Sequence, residues 1–174
     1  MKLTTASKIT IARILLIPVV LALMYLDFDG HMYWALAVFI AASCSDFIDG
    51  YIARHYNQVS NFGKFMDPLA DKLLVISVML VYLDWGMLPA WAAIIVVARE
   101  LAVTGLRLIA VEGGKVIAAA WSGKIKTACT MAGFCVMMLP VPEAVCTVCW
   151  VLVVLTTVYS GIEYFWKNAA VFRG

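Results

Sequence analysis

Charge is what this sequence has least of. Only 14% of its 174 residues are Asp, Glu, Lys or Arg, against 64% hydrophobic residues and a mean hydropathy of +0.95. A soluble domain carries roughly a quarter charged and about half apolar residues, so an ordinary water-soluble globule is excluded. The net charge of +2 is too small to hold a nucleic acid through phosphate contacts. Cysteine is sparse as well. Of five, only Cys146 and Cys149 form a C-x-x-C. Residues i and i+3 of one helix seldom meet disulfide geometry, and no second pair completes a zinc site, so inert buried thiols are expected. The opening stretch MKLTTASKITIARILLIP has a charge at Arg13 and lacks a small-residue cleavage site, so no signal peptide is expected.

Long apolar runs are what the chain has instead. A bilayer core is about 30 Å thick and one helix needs about 20 apolar residues to cross it. At that length the chain holds six spans with short loops and no soluble domain. The spans are expected at Ile9–Leu26, Met32–Arg54, Gly63–Leu83, Met87–Val111, Ala118–Leu139 and Glu143–Trp166, with turn signals between them. The expected fold is therefore all-α, one membrane domain over residues 1–174 with six transmembrane helices. Tryptophans fall mostly near the span ends, as an interfacial belt requires. All thirteen lysines and arginines map to one side of this topology, whereas the opposite loops hold Asp27, Asp29, Asp84 and Glu143. Basic loops mark the cytoplasmic face, so both termini are expected there.

Against that background, four carboxylates stand out. Asp46 and Asp49 are three apart near the end of the second span, and Asp67 and Asp71 are four apart near the start of the third. Both spacings put the pair on one helical face, and the short link makes the two helices antiparallel neighbours. Each charge inside a membrane helix costs roughly 2.5–3.5 kcal/mol on insertion scales, so a positive partner is needed. Pairing with Arg54, Lys64 and Lys72 would account for one aspartate at a helix end. Four converging carboxylates, with no nearby Cys or His, fit a hard divalent cation better, and Mg²⁺ in such sites usually takes phosphate as a further ligand. Gly50 and Gly63 beside the cluster would let a ligand approach the backbone.

Asp46, Asp49, Gly50, Ala53, Arg54, Gly63, Asp67 and Asp71 reproduce D-x2-D-G-x2-A-R-x8-G-x3-D-x3-D in full. In this the chain resembles the CDP-alcohol phosphotransferases over essentially its whole length. The resemblance implies six membrane helices, a pair of divalent ions (Mg²⁺ or Mn²⁺) on Asp46, Asp49, Asp67 and Asp71, and a homodimer. It also implies CDP contacts from Gly50, Arg54 and Gly63, and Asp71 as the base. Thr10, Arg13 and Pro18 match the N-terminal N-x-x-T-x-x-R-x-x-x-x-P of bacterial phosphatidylglycerophosphate synthases, with Ser7 in place of the asparagine. Thr10 is a further CDP-contact candidate on that basis.

Arg99, Arg107 and Lys124 are cations in or near the membrane, and each needs an anionic partner. Arg99 and Arg107 are eight residues apart, about two helical turns, and so share a face. Pairing with Glu100 or Glu112 is the plainer reading for a single arginine. Three cations together fit a second phosphate, which arginine binds bidentately. Lys126 is left outside this group. The stretches AREL, TGLRLIA and SGKIKT that carry these cations resemble the same bacterial synthases, whose acceptor is sn-glycerol 3-phosphate and whose donor is CDP-diacylglycerol. The expected enzyme lies in the bacterial cytoplasmic membrane with its site facing the cytoplasm. Inositol phosphate is the alternative acceptor, and a serine acceptor would leave the cations unpartnered. A divalent-cation transporter is the alternative of another class, but it calls for acidic residues at mid-membrane, and the outer halves of the spans have none.

Overall fold

The structure is a computed structural model. It describes the backbone of residues 5–55, 61–112, 117, 120–169 and 171, and the side chains of these except 5–7, 46–55, 61–65, 67 and 112. The described residues are all-helical, without strands. In chain order the helices are α1 (Thr5–Tyr25), α2 (His31–His55), α3 (Asn61–Asp84), α4 (Ala90–Glu112), α5 (Trp121–Met137) and α6 (Glu143–Lys167).

Each expected span falls on one helix, and the ends differ for local reasons. α1 begins at Thr5, ahead of the apolar run, because a helix is not confined to its hydrophobic residues. α4 begins at Ala90 rather than Met87, because Pro89 lacks an N–H and stands at the start of the helix, its carbonyl accepting from Ala92 N at 3.0 Å. The expected start of the fifth span, Ala118, lies outside the described residues. α3 ends in a left-handed glycine cap. Gly86 has φ +71°, its N–H reaches Leu83 O at 3.0 Å, and the Met87 N–H reaches Tyr82 O at 2.9 Å. Only glycine takes that backbone without strain.

The chain divides into two compact units, one of residues 1–81 with 138–140, the other of residues 82–137 with 141–174. In the first, α1 buries a stripe of Thr10, Arg13, Ile17, Val20 and Met24. The steps of three and four residues keep them on one face. α2 contributes Ala35, Phe39 and Ala42, and α3 contributes Ala70, Leu74 and Val78. His31 Nδ1 donates to Leu23 O at 3.0 Å, which ties the start of α2 to the end of α1 as antiparallel neighbours.

In the second unit α4 and α6 run parallel. Trp91 meets Trp150 edge to face at 5.5 Å, and further along the pair Arg99 meets Ser160 and Arg107 meets Tyr164. α5 runs the other way against α6, since Gly133 lies beside Val153 while Gly123 lies beside Ser160. A Cβ on Gly133 would stand 3.4 Å from Val153 Cγ2, at the near edge of ordinary van der Waals contact, so the two helices pack closely there.

The outward surfaces of the helices are apolar. Leu15, Ile94, Leu101, Leu108, Leu155 and Ile162 are all more than 60% exposed or at that value. Such exposure suits hydrocarbon as the surrounding solvent and is costly in water. Lys8–Tyr25 and Glu143–Lys167 are long and apolar enough to cross a membrane. All five cysteines are free. Cys146 is buried as expected, but Cys44 is exposed and the other three are intermediate, because those positions fall off the buried stripes of their helices.

Tyr82 is fully buried, stacks edge to face on Phe134 at 5.5 Å, and donates its hydroxyl to Phe134 O at 2.9 Å. A buried neutral hydrogen bond contributes about 1 kcal/mol net. Tyr82→Phe should therefore lower the thermal midpoint in detergent by an amount equivalent to about 1 kcal/mol, read by far-ultraviolet circular dichroism. An unchanged midpoint would remove this bond from the account of the second unit.

Candidate active site

In the first unit the buried guanidinium of Arg13 links polar groups of α2 and α3. Arg13 of α1 is 0% exposed. Its Nε donates to Ala42 O at 3.1 Å and to Ser45 Oγ at 3.0 Å, both on α2, and its Nη1 donates to Asp71 Oδ1 of α3 at 2.8 Å. Ser45 Oγ in turn donates to Ala42 O at 2.7 Å. A buried guanidinium without partners would cost several kcal/mol. Among the partners of Arg13 are these three acceptors on two neighbouring helices. Ser45 immediately precedes Asp46, so Arg13 links the beginning of one aspartate pair to the last member of the other.

Asp46 and Asp49 both lie on the unbroken helix α2, and Asp67 and Asp71 both lie on α3. The i,i+3 and i,i+4 registers therefore hold, each pair on one face. Of these four side chains, the structure describes that of Asp71, which is 36% exposed and bound to Arg13. The side chains of Asp46, Asp49, Arg54 and Asp67 lie outside the described ones, as do the surroundings of Gly50 and Gly63. Thr10 is fully buried one turn before Arg13 on the same stripe.

The second unit holds a different network. Glu100 Oε1 accepts from Arg99 Nη1 at 3.1 Å and from Lys126 Nζ at 2.8 Å. Arg99 Nη2 also donates to Ser160 Oγ. One carboxylate thus joins α4 to α5, and one arginine joins α4 to α6. Two glycines adjoin Arg99: a Cβ on Gly123 would stand 3.6 Å from its Nη2, and one on Gly161 would stand 3.3 Å from its Cγ. A methyl at Gly161 would crowd the arginine stem. Among the described residues, Arg99 Nε is buried without a hydrogen-bond partner.

Arg107 lies two turns further on. Its Nε donates to Tyr164 OH at 2.9 Å and its guanidinium stands 5.5 Å from that ring's centre. Lys124 stands 4.8 Å over the exposed ring of Trp121. Lys126, which reaches Glu100, lies on the buried face of α5 with Ser122, Thr130 and Gly133. Two residues turn a helix by about 200°, so Lys124 and Lys126 point to opposite sides.

Sequence reasoning placed Arg13 only in the family match, left Lys126 outside the cation group and gave no role to Ser160 or Tyr164, while the Arg99–Glu100 pairing it weighed is present. For Arg13 the signal was present: it is the one charge inside the run Ile9–Leu26, in step with Thr10, Ile17 and Val20. For Lys126 it was the four-residue step of small and polar residues along α5.

Glu100 is 17% exposed at its side chain, Arg99 12% and Lys126 4%. Removing the anion strands two cations, whereas removing Lys126 leaves Glu100 with Arg99. Stranding a buried charge costs about 3–5 kcal/mol. Glu100→Ala should therefore lower the thermal midpoint in detergent markedly more than Lys126→Met, followed by tryptophan fluorescence. Equal effects would contradict the network as drawn.

Residues 3–159 match the family model for CDP-alcohol phosphatidyltransferase. Over 183 aligned residues the chain is 42% identical to the CDP-diacylglycerol–glycerol-3-phosphate 3-phosphatidyltransferase of Bacillus subtilis (strain 168), covering 93% of each chain. To the protein of the same name in Escherichia coli (strain K12) it is 36% identical over 138 residues, 75% of this chain and 74% of that one. The matched stretch takes in the complete aspartate signature and Arg13. By that match the chain belongs to the CDP-alcohol phosphatidyltransferase family.

Proposed function

We propose that the chain transfers the phosphatidyl group of CDP-diacylglycerol to sn-glycerol 3-phosphate, giving phosphatidylglycerophosphate and CMP. The observation that carries this reading is the 42% identity to the B. subtilis enzyme over 93% of both chains. The complete D-x2-D-G-x2-A-R-x8-G-x3-D-x3-D signature supports the same chemistry.

Asp71 takes the proton of the acceptor's 1-hydroxyl. The hydroxyl oxygen forms a bond to the phosphorus that bears diacylglycerol, and the bond from that phosphorus to CMP breaks. Gly50, Arg54, Gly63 and Thr10 hold the CDP group. Asp46, Asp49, Asp67 and Asp71 would hold two divalent ions, Mg²⁺ or Mn²⁺. Four carboxylates, paired on α2 and on α3, form an all-oxygen donor set that suits a hard cation. When bound, such ions neutralise charge on phosphate oxygens.

Arg99, Arg107 and Lys124 take the acceptor's phosphate and hold its hydroxyl in line. The buried Arg99 Nε, unpartnered among the described residues, is a donor open to an anion. The ammonium of Lys124 lies on an exposed side chain. A serine acceptor would give these cations nothing to bind, and inositol phosphate is the competing acceptor. The membrane reading extends to six spans with both termini cytoplasmic, a cytoplasm-facing site in the bacterial inner membrane, and a homodimer.

The test is an acceptor competition on the purified protein with CDP-diacylglycerol and Mg²⁺ or Mn²⁺, following CMP and the lipid product. Glycerol 3-phosphate should give product, and inositol phosphate and serine should not. Product from another acceptor would overturn the assignment of Arg99, Arg107 and Lys124. Chelation should abolish turnover, and either ion should restore it. Asp71→Asn should lower kcat by at least about 100-fold, the scale of a lost general base. Arg99→Ala, Arg107→Ala and Lys124→Ala should each raise KM for glycerol 3-phosphate, and any variant that leaves KM unchanged drops out of the acceptor site.

A further inference from the structure

Arg13 is the largest fully buried side chain of the described structure, and no step of the reaction uses it. We propose that Arg13 is the positioning residue of Asp71, aiming that carboxylate at the acceptor hydroxyl. The proposal rests on Asp71 acting as the base.

The geometry is built from α2 outward. Ser45 Oγ donates to Ala42 O at 2.7 Å, which fixes the hydroxyl rotor on its own helix. Both oxygens then accept from Arg13 Nε, at 3.0 and 3.1 Å. A guanidinium is planar and rigid, so two acceptors on Nε fix the plane and with it the direction of Nη1. That nitrogen meets Asp71 Oδ1 at 2.8 Å. Asp71 is anchored through Oδ1 to a side chain that has no exposure, while its own side chain keeps 36%. An anchored, part-exposed carboxylate is what a general base needs, since proton transfer depends on an oxygen held within hydrogen-bond reach of the donor.

A salt bridge kept only for stability predicts something different. It would alter how much protein folds and leave the turnover of the folded fraction unchanged. Positioning predicts that kcat falls while KM for glycerol 3-phosphate holds, and that the loss vanishes once Asp71 can no longer act.

The experiment uses the full chain purified in detergent, with kcat, KM for glycerol 3-phosphate and the thermal midpoint measured for each variant. Arg13→Gln should lower kcat about 100-fold, comparable to losing the base, with KM within about twofold. Arg13→Lys keeps the charge and loses the fork, and should lower kcat about 10-fold. The double variant Arg13→Gln/Asp71→Asn should be no slower than Asp71→Asn alone. Should Arg13→Gln fail to fold, Arg13→Lys with and without Asp71→Asn gives the same cycle. Wild-type kcat in folded Arg13→Lys, or losses that multiply in the double variant, would overturn the proposal and leave Asp71 as base. Wild-type kcat in Asp71→Asn would overturn both together.

Discussion

A guanidinium buried among helices must find acceptors within the protein, and the first unit is arranged around that requirement. Arg13 cannot be solvated where it lies, so α2 offers a backbone carbonyl and a hydroxyl, and α3 offers a carboxylate. These acceptors help offset the desolvation cost of the charge, and losing any of them would raise it. The arginine is therefore both a demand on the fold and the reason that Ser45, next to Asp46, and Asp71 are held to one centre. Asp71 is thereby given a fixed cation on one side, and in the proposed function the aspartates hold divalent metal as well.

The second unit meets the same demand differently. Arg99 and Lys126 share the single oxygen of Glu100, Arg99 also uses Ser160, and Arg107 uses the hydroxyl and ring of Tyr164. Gly161 leaves room for the stem of Arg99, and Gly123 lies beside its guanidinium. Charge is scarce in this chain, and Arg13, Arg99, Arg107 and Lys126 are each committed to partners on neighbouring helices. That commitment fixes helix register more sharply than apolar contact does, because a slipped register would leave a buried charge bare.

How far the sequence discloses this depends on the range of each interaction. Apolar runs and their breaks are local, so all six helices can be read from them, and errors stay at the ends, as where Pro89 starts α4. The i,i+3 and i,i+4 aspartate pairs are local too, and each lies on one continuous helix. Arg13 and Asp71 are separated by 58 residues, and nothing in the chain between them announces the pairing. Which lysine of α5 pairs with Glu100 turns on the rotation of that helix, which charge alone does not decide; the periodic step Ser122, Lys126, Thr130 and Gly133 points to Lys126.

The central claim is that the four aspartates are a divalent-metal site, and counting bound Mn²⁺ tests it most directly. Electron paramagnetic resonance on the purified chain in detergent reports free ion against bound ion without requiring turnover. The account predicts about two tightly bound ions per chain, the number that two-metal phosphoryl-transfer sites hold. It also predicts loss of tight binding in Asp46→Asn and in Asp67→Asn, which draw on opposite pairs. Mn²⁺ bound equally well by wild type and both variants, or by none of them in folded protein, would contradict it.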